Sequence, residues 1–242
     1  GFFFDVASAK KLYASLANRR SELEEILASA FLNWKKYIGT FTPKRDNKTK
    51  GYKAGVGIKR YKEITFNPNS RDHISDRLIN KGWKPKVYTP DGKPKVDETV
   101  LNSLPYKEAK ILSEHFLIQK RIAQLAEGKQ AWLKLERNNK IHGQVIENGA
   151  ISGRCTHNHP NIANVPSNSV TFGTECRSLF IAPSGFNLVG CDVSSLELSL
   201  LAHFLFPYDK GNFKKELLEG DIHSKNAKAL GLTSRAQAKT TI

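Results

Sequence analysis

Residues 186–204 read FNLVGCDVSSLELSLLAHF: a short apolar run, an acid at Asp192, two serines, then leucines surrounding a second acid, Glu197. The first seven residues suit a buried strand, and the leucine-rich stretch suits a helix that begins within three residues of Asp192. Strand ends on a rigid scaffold are where metal ligands and catalytic groups are held. The same pattern also fits plain capping of the helix by Asp192 or Ser194. Glu197 lies among Leu196, Leu198, Leu200 and Leu201, so its helix face is expected to be partly buried. A buried glutamate rarely lacks a role.

Around this stretch the chain reads as mixed helix and strand from Trp132 onward. KIHGQVIENGAISGR (140–154) alternates as strands do, with an Asn-Gly turn at 148–149, and SLFIAP (178–183) is a short apolar run suited to a strand. GNFKKELLEG (211–220) and IHSKNAKAL (222–230) read as helices. Before residue 130 the chain is helical and basic. Asp5 is placed to cap a long first helix whose Leu12, Leu16, Leu23, Leu27 and Phe31 share a face. Ser70 or Asn69 caps a short helix that stops at Gly82, and Asp97 or Thr99 caps another. Pro105 to Gly128 spans a further long helix with Ala109, Leu112, Phe116, Ala123 and Ala126 along one stripe. Lys120 falls at the edge of that stripe and Arg121 on the far side. Between Trp34 and Lys62 the periodicity fails, and KKYIGTFTPKRDNKTKGYKAGVGIKRYK (35–62) fits either a solvated loop or a flexible arm that tracks phosphates. The fold class expected is α+β, with a boundary near residue 130.

A net charge of +15 makes a polyanion the natural partner, with nucleic acid favoured because no amphipathic membrane anchor is visible. The 39% hydrophobic content and mean hydropathy of −0.45 fit a soluble globular chain. No run of about 18 apolar residues suggests a membrane span, and no signal peptide is visible. Cys155, Cys176 and Cys191 lack CxxC spacing, so neither a disulfide framework nor a zinc site is indicated, and a cytoplasmic location is expected. The chain contains no Met, opens on Gly1, and ends at RAQAKTTI (235–242) within a helical pattern. It is expected to be a piece of something larger.

Two further clusters could carry chemistry. ISGRCTHNHPNIANVP (151–166) crowds Arg154, Thr156, His157, Asn158, His159, Asn161 and Asn164 into a Gly/Pro-broken loop. Such donors suit minor-groove acceptors, but they also suit a polar loop held by its own side chains. His157 and His159 lack a third ligand at fixed spacing. Toward the C-terminus, His223, Lys225, Lys228, Arg235 and Lys239 lie on helical segments, with Arg235 and Lys239 one turn apart. That pair fits a triphosphate, or an ordinary solvated basic face.

In this order the segments resemble family A (Pol I-type) DNA polymerases, and within them the replicative enzymes of the T-odd coliphage type. SGRCTHNHPNIANVP (152–166) resembles the family's TGR…PNLQNIP segment, and GCDVSSLELSLLAHF (190–204) resembles motif A, DYSQIELR in most members. GDIHSKN (220–226) with SRAQAKT (234–240) resembles the lead-in and first turns of motif B. The helical start, NPNSRDH (67–73) and IQKRIAQLAEGKQAW (118–132) are similar to the phage thumb.

The resemblance implies a right-hand polymerase fold, with residues 1–130 as a thumb carrying a basic arm at 34–62. Residues 131–210 would be the first part of the palm, and residues 211–242 the start of the fingers, ending within motif B. It implies template-directed DNA synthesis on primer-template DNA from dNTPs, using two Mg²⁺ ions. Asp192 would be the catalytic metal ligand, joined by the Val193 carbonyl. Backbone amides at Ser194, Ser195 and Leu196, with His223, Arg235 and Lys239, would hold the incoming dNTP, and Glu197 would crowd the ribose 2′ position. Arg154, Thr156, His157, Asn161 and Asn164 would face the minor groove, while Lys120 and Arg121 would grip phosphates. Ser199 stands where most members have Arg, and Ala163 where they have Gln. The motif that supplies the second catalytic carboxylate is not in the sequence, so the resemblance implies one piece of a split or truncated enzyme needing a complementing C-terminal fragment. The arm is far shorter than the thioredoxin-binding insertion of coliphage members, so thioredoxin is not expected as a partner. A non-catalytic DNA-binding fragment and a metal-dependent nuclease using Asp192, Asp221 and His223 are the alternatives.

Overall fold

The computed structural model describes residues 1–233 and Ala238, and divides into two compact units, residues 1–187 and 188–242. In the first unit the chain runs β1 (Phe2–Phe4), α1 (Val6–Ala30), β2 (Trp34–Phe41), β3 (Ile58–Ile64), α2 (Arg71–Asn80), α3 (Glu98–Ser103) and α4 (Lys107–Ile122). A π-helical turn (Ala123–Glu127) follows, then α5 (Trp132–Leu135), β4 (Lys140–Ile141), β5 (Gln144–Ile146), β6 (Thr156–Asn158), a 3₁₀ turn (Ile162–Asn164), α6 (Gly173–Arg177) and β7 (Phe180–Ile181). The second unit contains α7 (Leu196–Asp209), α8 (Asn212–Glu219) and α9 (Ile222–Ala229).

Helix starts follow the cap chemistry expected of them. The Asp5 carboxylate accepts from the Ser8 amide at 2.9 Å, Ser70 Oγ from the His73 amide at 3.3 Å, and Asp97 from the Val100 amide at 2.8 Å. Each satisfies an N–H that the first helical turn leaves without a partner. Gly82, with φ of +100°, takes the left-handed position just past α2 that a side chain would resist.

The first unit has two hydrophobic clusters, and α1 and α4 feed both. Leu16 and Leu23 of α1 join Ile118, Ile122 and Leu125 with Phe4, Trp132, Ile141 and Leu179 in one. Leu27 and Phe31 join Leu112, Phe116, Ile74, Leu78 and Trp83 in the other. Ile118, Ile122 and Leu125 follow one another at i, i+4 and i+7 on a second face of the helix, so Leu125 is the buried residue of the π turn and Ala123 and Ala126, on the stripe of Ala109 and Phe116, are only half-buried. The first cluster takes residues from both sides of position 130. The change of character there is therefore a change of secondary structure within one unit. Strand β1 lies between β4 and β7, antiparallel to both, with Phe2 opposite Ile141 and Phe4 opposite Phe180. Nothing in the three-phenylalanine start signals a central strand, because its partners lie more than 130 residues away in the sequence.

The stretch expected to be a loop or flexible arm is an antiparallel ribbon instead. Strands β2 and β3 pair from Trp34↔Ile64 to Phe41↔Ile58, with a bulge between Tyr37 and Gly39. Helical periodicity fails here because the residues alternate about a backbone ladder, with aromatic and β-branched side chains suited to a strand. Both faces of the ribbon are largely exposed, so no apolar alternation marks it.

Arg20 grips Glu127 with two bonds, at 2.8 and 2.9 Å, and the Tyr13 hydroxyl donates to the same carboxylate at 3.1 Å. The Arg20 bonds hold Glu127 below the usual carboxylate range. A lowered folded value means the stability contribution is present above the ordinary glutamate value and is lost as pH falls through the folded one. Glu127→Gln should therefore cost about 1 kcal/mol at pH 7 and much less near pH 3, since the pair is partly solvent-screened. Thermal unfolding at the two pH values checks this, and an equal loss at both would assign the effect to packing.

Candidate active site

Of the expected strand at 186–192, none forms among the described residues. A strand needs a neighbour to complete its backbone hydrogen bonds, and no described segment pairs with this one. Residues 186–195 instead run as irregular chain, with Phe186 71% and Val189 87% exposed. The helix does start where expected, at Leu196. Neither Asp192 nor Ser194 caps it: the cap position is Ser195, left-handed at φ 53°, without a side-chain hydrogen bond. The Ser195 side chain thus leaves the start of α7 without a cap, and a helix start of that kind favours an anion.

Asp192 is exposed and makes no hydrogen bond or ion pair among the described residues. Glu197 is exposed rather than partly buried, because α7 presents leucines all round while burying only Ala202. The leucines flanking Glu197 do not cover it, since Leu196, Leu200 and Leu201 are themselves about half exposed. After α7, the Asp209 carboxylate accepts from the Gly211 and Phe213 amides at 2.8 and 2.7 Å, and so starts α8.

His223 lies in the first turn of α9, fixed by Asp221, which accepts from the His223 amide at 3.2 Å and from Ser224 Oγ at 2.7 Å. The His223 Nδ1 is buried with no partner among the described residues. Lys225, two residues on, is ion-paired with Glu216. Arg235 and Lys239 lie outside the described residues. Among the described residues no three His, Cys, Asp or Glu side chains come together as a metal site, which leaves the nuclease arrangement of Asp192, Asp221 and His223 without its cluster. As donors, the Asp192 carboxylate and the Val193 carbonyl are hard oxygens of the kind Mg²⁺ takes. They fit part of a coordination sphere and not a whole one.

In the first unit the 151–166 stretch is more ordered than a loop. Thr156 and His157 are in β6, paired with Ile146 and Val145 of β5. Asn161 accepts from the Asn164 amide at 3.2 Å, so its oxygen caps the 3₁₀ turn. Arg154 is exposed and its carbonyl accepts from the Ala150 amide at 3.0 Å. Two residues that sequence reading passed over anchor the stretch to the end of the long helix. Gln124 Nε2 donates to the Asn164 carbonyl at 2.8 Å, and Gln130 Oε1 accepts from the His159 amide at 3.1 Å. Nothing in the sequence marks these glutamines, because the contacts are tertiary. Lys120 is exposed as expected, but Arg121 is buried, its guanidinium 3.4 Å from Gln124 Oε1 and its Nε without a partner. Helix α4 buries a second face, with Ile118 and Ile122 in the other cluster, and Arg121 falls beside it, against the reading of a single stripe.

The DNA polymerase family A profile matches residues 44–241. The chain is 38% identical to the DNA-directed DNA polymerase of Escherichia phage T7 and 37% identical to that of Enterobacteria phage T3, each over 100% of this chain and 42% of the relative. The chain thus spans less than half the length of these relatives. The alignments run over 295 positions against 242 residues here, so both relatives carry additional residues within the matched region. In structure, the chain matches the POL domain of Pol1 from M. smegmatis, a complex with DNA primer-template and dNTP. The TM-score is 0.65 at 18% identity, over 100% of this chain and 38% of that one, and the likeness is one of fold. With a family profile covering most of its length and two phage relatives aligned over the whole of it, this chain belongs to DNA polymerase family A.

Proposed function

We propose that this chain supplies the thumb, the first part of the palm and the start of the fingers of a phage-type DNA polymerase. It would act in template-directed synthesis together with polypeptide carrying the remaining motifs. The observation that carries the reading is Asp192: an exposed carboxylate that bonds to no described residue, just before a helix start that the Ser195 side chain does not cap, in the segment that resembles motif A.

Divalent cations bound at such a site would neutralise the triphosphate and promote ionisation of the primer hydroxyl. Asp192 and the Val193 carbonyl would hold them from this chain, and the second carboxylate would come from outside residues 1–242. The open amides at Ser194–Leu196 would donate to phosphate oxygens, in keeping with the positive end of α7. His223, in the first turn of α9, would donate to the same triphosphate, with Arg235 and Lys239 alongside. Glu197, exposed at the first turn of α7, would exclude a ribose 2′-hydroxyl, with ribonucleotide incorporation as its readout. Arg154, Thr156, His157, Asn161 and Asn164 would lie along the primer-template minor groove, and Lys120 rather than Arg121 would meet phosphate.

The need for further polypeptide is supported by α7. Leu196, Leu200, Phe204 and Tyr208 recur every four residues along α7 and are all exposed, Phe204 at 70% and Tyr208 at 85%. Soluble proteins rarely leave so much contiguous apolar surface in water. The test is primer extension by this chain alone and after addition of the C-terminal portion of a phage relative. Little or no synthesis alone and extension by the mixture is the expected outcome. Salt-sensitive DNA binding with no extension in the mixture would favour a purely DNA-binding role.

A further inference from the structure

The ribbon of β2 and β3 carries a charge density that neither core nor active site uses. Residues 34–64 contain ten lysines and arginines against Asp46 and Glu63. The base is fixed: Lys36 Nζ meets Asp76 at 2.8 Å, the Arg77 guanidinium lies 4.0 Å over the Trp34 ring, and Trp34 packs edge-on to His73 at 5.2 Å. Beyond that base, both faces stand in solvent, an arrangement that is marginal for a two-stranded ribbon left to itself.

One face has a specific layout. Side chains directly opposite each other share a face, and so do alternate residues along a strand. Tyr37 is opposite Tyr61, Lys35 opposite Glu63, and Thr40 opposite Lys59 after the bulge. The two rings lie 5.8 Å apart at 63°, 51% and 55% exposed, with the Tyr37 hydroxyl tied to Thr40 Oγ1 at 2.6 Å. Lys35 and Lys59 stand on either side of the ring pair, each two positions along its own strand from a tyrosine, about 6.7 Å between backbone positions by strand geometry.

We infer that this face binds single-stranded DNA, with Tyr37 and Tyr61 as a stacking platform and Lys35 and Lys59 on the flanking phosphates. Cations alone would serve any polyanion. An exposed ring pair contributes only where base faces are free, as they are in a single strand and are not within a stacked duplex. The choice of DNA among polyanions rests on the proposed polymerase role.

The test is fluorescence-anisotropy titration of the full chain with labelled oligo(dT) and, separately, with a blunt hairpin duplex. Y37A/Y61A should weaken oligo(dT) binding about tenfold or more and change duplex binding by less than twofold, while Y37F/Y61F should restore single-strand affinity. K35Q/K59Q should reduce the slope of log affinity against log salt by about 1.4, at about 0.7 per phosphate contact. Circular dichroism of each variant reports the fold, and the Phe variants keep the ring pair where the Ala variants lose the ribbon. Equal losses on oligo(dT) and duplex, or no loss on either, overturn the inference. Failure of primer extension in the complemented mixture would count against the polymerase role and leave the single-strand result standing. Intact extension with no single-strand preference would remove this inference alone.

Discussion

Asp192→Asn is expected to reduce primer extension by the complemented mixture about 10³-fold or more, leaving DNA affinity within twofold of wild type. The amide keeps the shape of the carboxylate and removes the charge that holds a hard divalent cation, and stabilisation of developing charge is where phosphoryl-type transfer gains most of its rate. Because Asp192 is exposed and bonds to no described residue, the substitution should leave the fold untouched. That separates a chemical effect from a structural one. Extension within tenfold of wild type would remove Asp192 from the site and with it the proposed role of this segment.

Trp132→Ala should lower the thermal midpoint by roughly 8–15 °C. Trp132 is 1% exposed, edge-on to Phe180 at 5.3 Å and to Phe4 at 6.2 Å, while Phe4 and Phe180 meet at 5.4 Å. The triangle ties β1, α5 and β7 together, so truncation empties the contact among three segments far apart in sequence. Large aromatic-to-alanine changes in a core cost about 3–5 kcal/mol, and about 2–4 °C follows from each kcal/mol in a domain this size. The loss is a large part of the marginal stability of a folded domain. Scanning calorimetry of the isolated chain reads it, and a shift under about 3 °C would mean that the sheet and α5 close the cavity without the ring.

The helical half of the first unit was legible because local rules govern it. Asp5, Ser70 and Asp97 cap where cap chemistry places them, and Leu16, Leu23 and Leu27 are buried at the spacing of one helix face. Departures begin where the deciding partner is distant. The ribbon at 34–64 was read as a loop or arm because neither face is buried, so no apolar alternation betrays a strand. Arg121 is buried because α4 packs two faces, Ala109, Leu112 and Phe116 in one cluster and Ile118 and Ile122 in the other, and a stripe counted along one face does not register the second. FNLVGCD has the composition of a strand, but a strand is a pairing, and no described segment supplies one.

Sequence alone therefore determined the helix starts, the position of Asp192 before α7, the basic character of the chain and its family, since each depends on residue types at short spacing or in fixed order. Tertiary structure alone decided that β1 is the central strand of a sheet, that residues either side of 130 share a core, that Gln124 and Gln130 hold the 151–166 stretch, and that Glu197 faces water. The division is physical. Caps and periodicities are satisfied within a few residues, whereas burial and strand pairing depend on what the rest of the chain brings alongside.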